Sequence, residues 1–129
     1  MYPISVAAEQ SGVMIETIRY YEREGIVPKP DRTASGRRAY SNDDISRLRF
    51  IKRCRDLGFA IPDAKSLLGL AVGSQNSCSV AGAIAQNHLN DVKAKIENLR
   101  RMEEALTEMT EQCSVGSKKC PVLDRLLSD

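Results

Sequence analysis

The stretch SVAGAIAQNHLNDVKAKIENLRRMEEALTEMTEQ, residues 79–112, reads as one long helix with Cys78 before it and Cys113 after it. Neither Pro nor Gly interrupts 83–112. Ala85, Val92, Leu99, Leu106 and Cys113 recur every seven residues, Leu89 and Ile96 flank them at the same spacing, and Met102 and Met109 widen the stripe. An apolar seam with that repeat on a polar helix predicts a coiled coil. The chain offers no second long helix to cover it, so a homodimer is expected. Cys78 and Cys113 are 35 residues apart, roughly 50 Å along a helix axis, and cannot share a ligand within one chain. An antiparallel pairing would bring Cys78 of one chain to Cys113 and Cys120 of the other, twice per dimer. Three thiolates at one point suit a metal ion, and Cys120 follows Cys113 after the six-residue loop Ser114-Val115-Gly116-Ser117-Lys118-Lys119.

The rest of the chain reads as the object this helix serves. Residues 4–12 form a short amphipathic segment with Val6, Ala7 and Ala8 inward and Ser5 as a helix cap. Ser11-Gly12 is a turn, and a second helix from near Met14 turns Ile15, Ile18 and Tyr21 inward before stopping at Glu24-Gly25. Two short helices with a Gly-containing turn make a helix-turn-helix. Its second helix offers Thr17, Arg19, Tyr20 and Arg23 outward, groups suited to phosphates and base edges. Pro28 and Pro30 enforce an extended path. Ser35-Gly36 then marks a turn flanked by Arg37, Arg38 and Tyr40, a small β-hairpin wing for an adjacent groove; the bland alternative is a solvated charged loop.

Ser41-Asn42-Asp43-Asp44 is a helix start. Ile45, Leu48, Ile51 and Cys54 or Arg55 then space as a helix to Leu57-Gly58, and Ile61-Pro62 opens another through Leu70. Arg47, Arg49, Lys52, Arg53 and Arg55 add backbone-facing charge, and Cys54 reads as a packed thiol. The basic excess lies in residues 1–60, with eleven Lys and Arg against eight Asp and Glu, whereas residues 61–129 carry eight against nine. That asymmetry favours a nucleic-acid surface in the first half. The chain divides as a winged helix-turn-helix DNA-binding region with a second helix pair (1–73), a hinge and dimerisation helix (74–112), and a metal-binding loop with a short C-terminal helix (113–129). The fold class is mainly α.

Four cysteines without a basic and apolar leader do not suggest a disulfide framework. No apolar run approaches the length of a membrane span, and a cytoplasmic location is expected. An enzyme is disfavoured: there is no C-x-x-C, no H-E-x-x-H, no paired carboxylates and one His.

These residues resemble the MerR family of transcriptional regulators over nearly the whole chain. The matching motifs are Ile4-Ser5-Val6-Ala7, Ser11-Gly12-Val13, Glu16-Thr17-Ile18-Arg19-Tyr20-Tyr21-Glu22-Arg23-Glu24-Gly25, Arg37-Arg38-Ala39-Tyr40 and Leu57-Gly58-Phe59, with the thiol pattern Cys78, Cys113, Cys120-Pro121. Residues 88–109 look most like the mercury-responsive members. The resemblance implies a homodimer on double-stranded promoter DNA that represses without metal and activates with it, bending and underwinding the promoter so that RNA polymerase can use it. It implies DNA contacts from Thr17, Arg19, Tyr20, Tyr21, Arg37, Arg38 and Tyr40.

Soft thiolates select thiophilic ions, and structural zinc normally takes four ligands. Hg(II) bound by Cys78, Cys113 and Cys120 therefore ranks first, then Pb(II) or Cd(II), then Zn(II), then Cu(I). The copper- and gold-responsive relatives resemble this chain except for a Ser at position 78. The 114–119 loop departs from the mercury and copper members by its shortness and lacks His, Asp and Glu. The alternative from another class is a cytosolic metal carrier, which would have no use for a winged DNA-binding half.

Overall fold

A computed structural model describes residues 1–73, 77–113 and 119–128. The chain folds into two compact units, Met1–Ile84 and Ala85–Asp129. The first contains α1 (Ile4–Ser11), α2 (Ile15–Arg23), β1 (Asp31–Arg32), β2 (Arg38–Ala39), α3 (Asn42–Asp56), α4 (Ile61–Val72) and the opening of α5 (Cys78–Glu111). The second contains the remainder of α5 and α6 (Pro121–Leu127).

The core of the first unit is built around α3, which packs on both α1 and α4. Its buried residues Ile45, Leu48, Ile51 and Cys54 recur every third position, the spacing that lines one face of a helix. They meet Ala7 from α1, Ile18 and Tyr21 from α2, and Ala64 and Leu68 from α4. Local chemistry fixes the start of α3. The Ser41 side chain accepts from the Asp44 amide at 3.0 Å, and the Asp44 carboxylate accepts from the Ser41 amide at 2.9 Å. This reciprocal capping box satisfies two otherwise orphaned amides.

The helix-turn-helix is as expected, with one correction. Ser5 does not cap α1; the cap position is Pro3, whose extended backbone starts the helix with no side-chain bond. The Pro3 carbonyl already accepts from the Val6 and Ala7 amides, each at 3.1 Å, so Ser5 lies inside the first turn. Between α1 and α2, Gly12 takes the left-handed conformation at φ 76° and the Ser11 hydroxyl accepts from the Val13 amide at 3.2 Å.

The wing is an antiparallel pair with Asp31 opposite Ala39 and Arg32 opposite Arg38. Its turn has Gly36 at φ 84° and is braced by the Arg32 guanidinium, which donates to the Gly36 carbonyl at 2.8 Å. Tyr2 pairs with Tyr40 through two backbone bonds of 2.8 Å, extending the wing with the start of the chain.

The long helix α5 runs for 34 residues. It begins at Cys78 rather than after it, because the Ser77 hydroxyl accepts from the Val80 amide at 3.2 Å and takes the cap. In the second unit most of the heptad stripe is uncovered: Leu99 is 62% and Leu106 59% exposed. Met109 is buried, and the adjacent Glu108 pairs with Arg125 of α6 at 3.1 Å. Among the described residues no helix is long and apolar enough to cross a membrane. Most of the expected hinge (residues 74–76) and of the loop between Cys113 and Cys120 (residues 114–118) lies outside the described residues.

Candidate functional site

Helix α2 has two chemically distinct faces. Ile18, Tyr21 and Glu22 face inward, which fixes Glu16, Arg19, Tyr20 and Arg23 on the outward side, with Thr17 half-buried at the boundary. The Arg23 guanidinium lies 5.8 Å from the centre of the Tyr20 ring, a cation–π distance that orders both side chains. Arg19 is 3.4 Å from Glu16, an exposed pair worth little energetically and easily exchanged for a phosphate.

Between α2 and the wing lies a cleft of about 370 Å³ lined by Arg19, Glu22, Arg23, Lys29, Pro30, Arg32 and Arg38. Among the described residues its five cationic side chains face a single carboxylate, and that carboxylate is paired with one of them, Arg38. Glu22 is 3% exposed. Its Oε1 forms an ion pair with Arg38, 2.9 Å from Nε, and the Tyr40 hydroxyl donates to the carboxylate at 2.9–3.1 Å. A buried carboxylate is costly unless paired and hydrogen-bonded, and here the partners are Arg38 of β2 and Tyr40, which follows that strand. The cleft therefore presents positive charge outward, the arrangement that a polyanion requires.

The same environment acts on the phenols. Burial, then the hydrogen bond to Glu22, then the charge of Glu22 push the Tyr40 hydroxyl well above the ordinary phenol range. Burial also raises Tyr21, against the opposing charges of Arg55 and Lys52, and burial raises the Cys54 thiol.

Of the seven residues expected at a DNA surface, Arg19, Tyr20 and Arg37 are exposed and Thr17 and Arg38 are half-buried. Tyr21 and Tyr40 are core residues at 6% and 2% exposure. Both belong to the buried core cluster of the first unit. Sequence reasoning missed Glu22 as a structural anchor, although its place four residues after Ile18, on the apolar face, was a usable signal. It also passed over Lys29 and Arg32, which the extended path brings to the cleft.

The cysteines divide by environment. Cys54 is buried in the core; Cys78 and Cys113 are exposed, and Cys120 is half-buried at the cap of α6. Among the described residues, no three His, Cys, Asp or Glu side chains of one chain gather as a metal site. The three thiols outside the core are chemically suited to a thiophilic ion, and the exposure of Cys78 and Cys113 leaves them open to ligands from another chain.

A helix-turn-helix with a basic wing, followed by a long helix carrying an uncovered apolar stripe, defines a nucleic-acid-binding regulator. Residues 2–70 match the family described as MerR HTH family regulatory protein, and residues 45–109 match the one described as MerR, DNA binding. The chain belongs to the MerR family. A mercuric resistance operon regulatory protein of Bacillus cereus is 37% identical over 128 residues, covering 98% of this chain and 97% of the relative. Among solved structures, the Bacillus megaterium MB1 regulator MerR in complex with mercury(II) is similar at 31% identity and a TM-score of 0.73, with 94% of this chain and 95% of that one covered. The regulator PbrR691 of Ralstonia metallidurans CH34 in complex with lead(II) is similar at 28% identity and a TM-score of 0.84, with 98% and 99% covered. The chain is thus a transcription regulator and not an enzyme.

Proposed function

We propose that this chain is a metal-responsive regulator, located in the cytoplasm, that binds promoter DNA as a homodimer. It activates heavy-metal resistance genes by distorting the promoter for RNA polymerase when Hg(II) is held by Cys78 of one subunit and Cys113 and Cys120 of the other. The observation that carries this reading is the uncovered apolar stripe of α5 with exposed cysteines at its two ends. Covering side chains such as Leu99 and Leu106 in an antiparallel partner contributes about 1.5–3 kcal/mol for each one fully buried. Cys78 opens a 34-residue helix and Cys113 follows its end, so one chain alone does not unite them on one ion. Residues 1–73 read the operator, 74–112 join and dimerise, and 113–129 supply two of the three ligands.

A second reading, Pb(II) as the inducer, is favoured by one comparison. The lead-bound neighbour has the higher TM-score and the mercury-bound one the higher identity. Soft three-thiolate ligation suits both ions.

A promoter-reporter assay against Hg(II), Pb(II), Cd(II), Zn(II) and Cu(I) tests the assignment. Hg(II) is expected to induce at least about tenfold more strongly than the others, the scale of one 1.4 kcal/mol step in affinity. Cys78→Ser, Cys113→Ser and Cys120→Ser are each expected to abolish induction while operator binding persists. Full mercury induction in the Cys113→Ser strain would defeat the ligand set, and stronger induction by Pb(II) would establish the second reading.

A further inference from the structure

We propose that Glu22 is a positioning residue for the wing's DNA contact: its ion pair with Arg38 holds that guanidinium at the cleft beside α2. The proposal rests on the reading of the chain as a promoter-binding protein.

Among the described residues Glu22 is the only carboxylate lining the cationic cleft. Were charge alone important there, an acid would oppose phosphate binding. It is instead turned inward, with Oε1 on Arg38 Nε and both oxygens on the Tyr40 hydroxyl. Arg38 is 30% exposed and lines the cleft. Glu22 belongs to the same nine-residue helix as Arg19 and Tyr20, while Arg38 belongs to β2. The pair therefore sets the wing's cation at a constant offset from the groups of the recognition helix. A side chain already held in its binding orientation forfeits less entropy on contact.

The charge reading and the positioning reading predict opposite signs for one substitution. Glu22→Gln removes a negative charge from a polyanion-binding cleft. If Glu22 were only an electrostatic presence, the variant would bind DNA more tightly. If it positions Arg38, the variant binds about three- to tenfold more weakly, as expected for one side chain that must be immobilised on binding.

The test is a fluorescence-anisotropy titration of the full chain on duplex from its own upstream region, across a salt series. Arg38→Gln is expected to lower the slope of log affinity against log salt by about 0.9, the loss of one phosphate contact. Glu22→Gln is expected to weaken binding and lower the slope in the same direction, and the double variant is expected to bind no more weakly than Arg38→Gln alone. Tighter or unchanged binding by Glu22→Gln, or additive losses in the double variant, would overturn the proposal. Should Glu22→Gln not fold, Arg38→Lys carries the same test. It keeps the charge but lacks the planar, five-donor fork that can pair with Glu22 and donate outward at once, so wild-type affinity and slope would refute positioning. Wild-type protein that binds neither this duplex nor unrelated DNA would instead overturn the promoter-binding reading itself.

Discussion

Tyr40 shows how much one side chain can hold. Its hydroxyl donates to a carboxylate that is 3% exposed, and a hydrogen bond to a charged group contributes about 1.5–3 kcal/mol. Tyr40→Phe is expected to lower unfolding free energy by about that amount, measured by urea denaturation at neutral pH. The phenol also sets an alkaline limit. Unfolded, it ionises near its ordinary value of about 10; folded, it keeps its proton to higher pH. Above about pH 10 the native state therefore binds more protons than the unfolded chain, and stability falls as pH rises. Buried Tyr21 and Cys54 act with the same sign. The expected result is a steep loss of urea midpoint between about pH 9 and 11, made shallower but not abolished by Tyr40→Phe. Sequence alone singled out Arg38 and Tyr40. That both turn toward Glu22 was not legible, because the Tyr40 contact spans 18 positions of sequence and depends on how the wing folds back on α2.

At the scale of elements, what is local is what was readable. The start of α3 rests on Ser41 and Asp44, three residues apart, and the expected cap and the observed one agree. Ser41→Ala is expected to cost about 1 kcal/mol, seen as a lower midpoint in thermal unfolding followed by circular dichroism, with the fold retained. The inward faces of α2, α3 and α4 were equally legible, since a helical period places Ile18 with Tyr21, and Ile45 with Leu48 and Ile51, whatever lies opposite. The wing was readable as a turn at Gly36 but not in its register. Each strand has only two residues, and part of the pairing comes from Tyr2, a long way back along the chain. The helix α5 begins one residue before the expected 79, at Cys78, because the Ser77 hydroxyl accepts from the Val80 amide.

For the whole molecule, the decisive fact is that the two compact units have unequal interiors. Met1–Ile84 contains nearly all the buried apolar residues, with Ile84 itself packed against them. Ala85–Asp129 buries Met109 and leaves Leu89, Ile96, Leu99, Met102 and Leu106 largely exposed. A fragment of residues 1–84 is expected to unfold cooperatively and to sediment as a monomer, whereas the full chain is expected to sediment as a dimer and Leu99→Glu to shift it toward monomer. Analytical ultracentrifugation checks all three, and a monomeric full chain at micromolar concentration would count against the seam. The sequence announced the need for a partner through its heptads. Which residues of two chains meet was not legible, because a seven-residue repeat specifies a face and not the identity of what covers it.

The division of α2 into an anchored face and a free one has a consequence for how such a regulator can change its target. Ile18, Tyr21 and Glu22 fasten the helix, while Glu16, Arg19, Tyr20 and Arg23 contribute nothing to the core. Substitutions on the free side are then nearly independent of those that fold the protein. With α2 reading the operator, as proposed above, operator preference can drift, or be redesigned, by exchanging outward residues of one nine-residue helix, leaving the fold to be inherited unchanged.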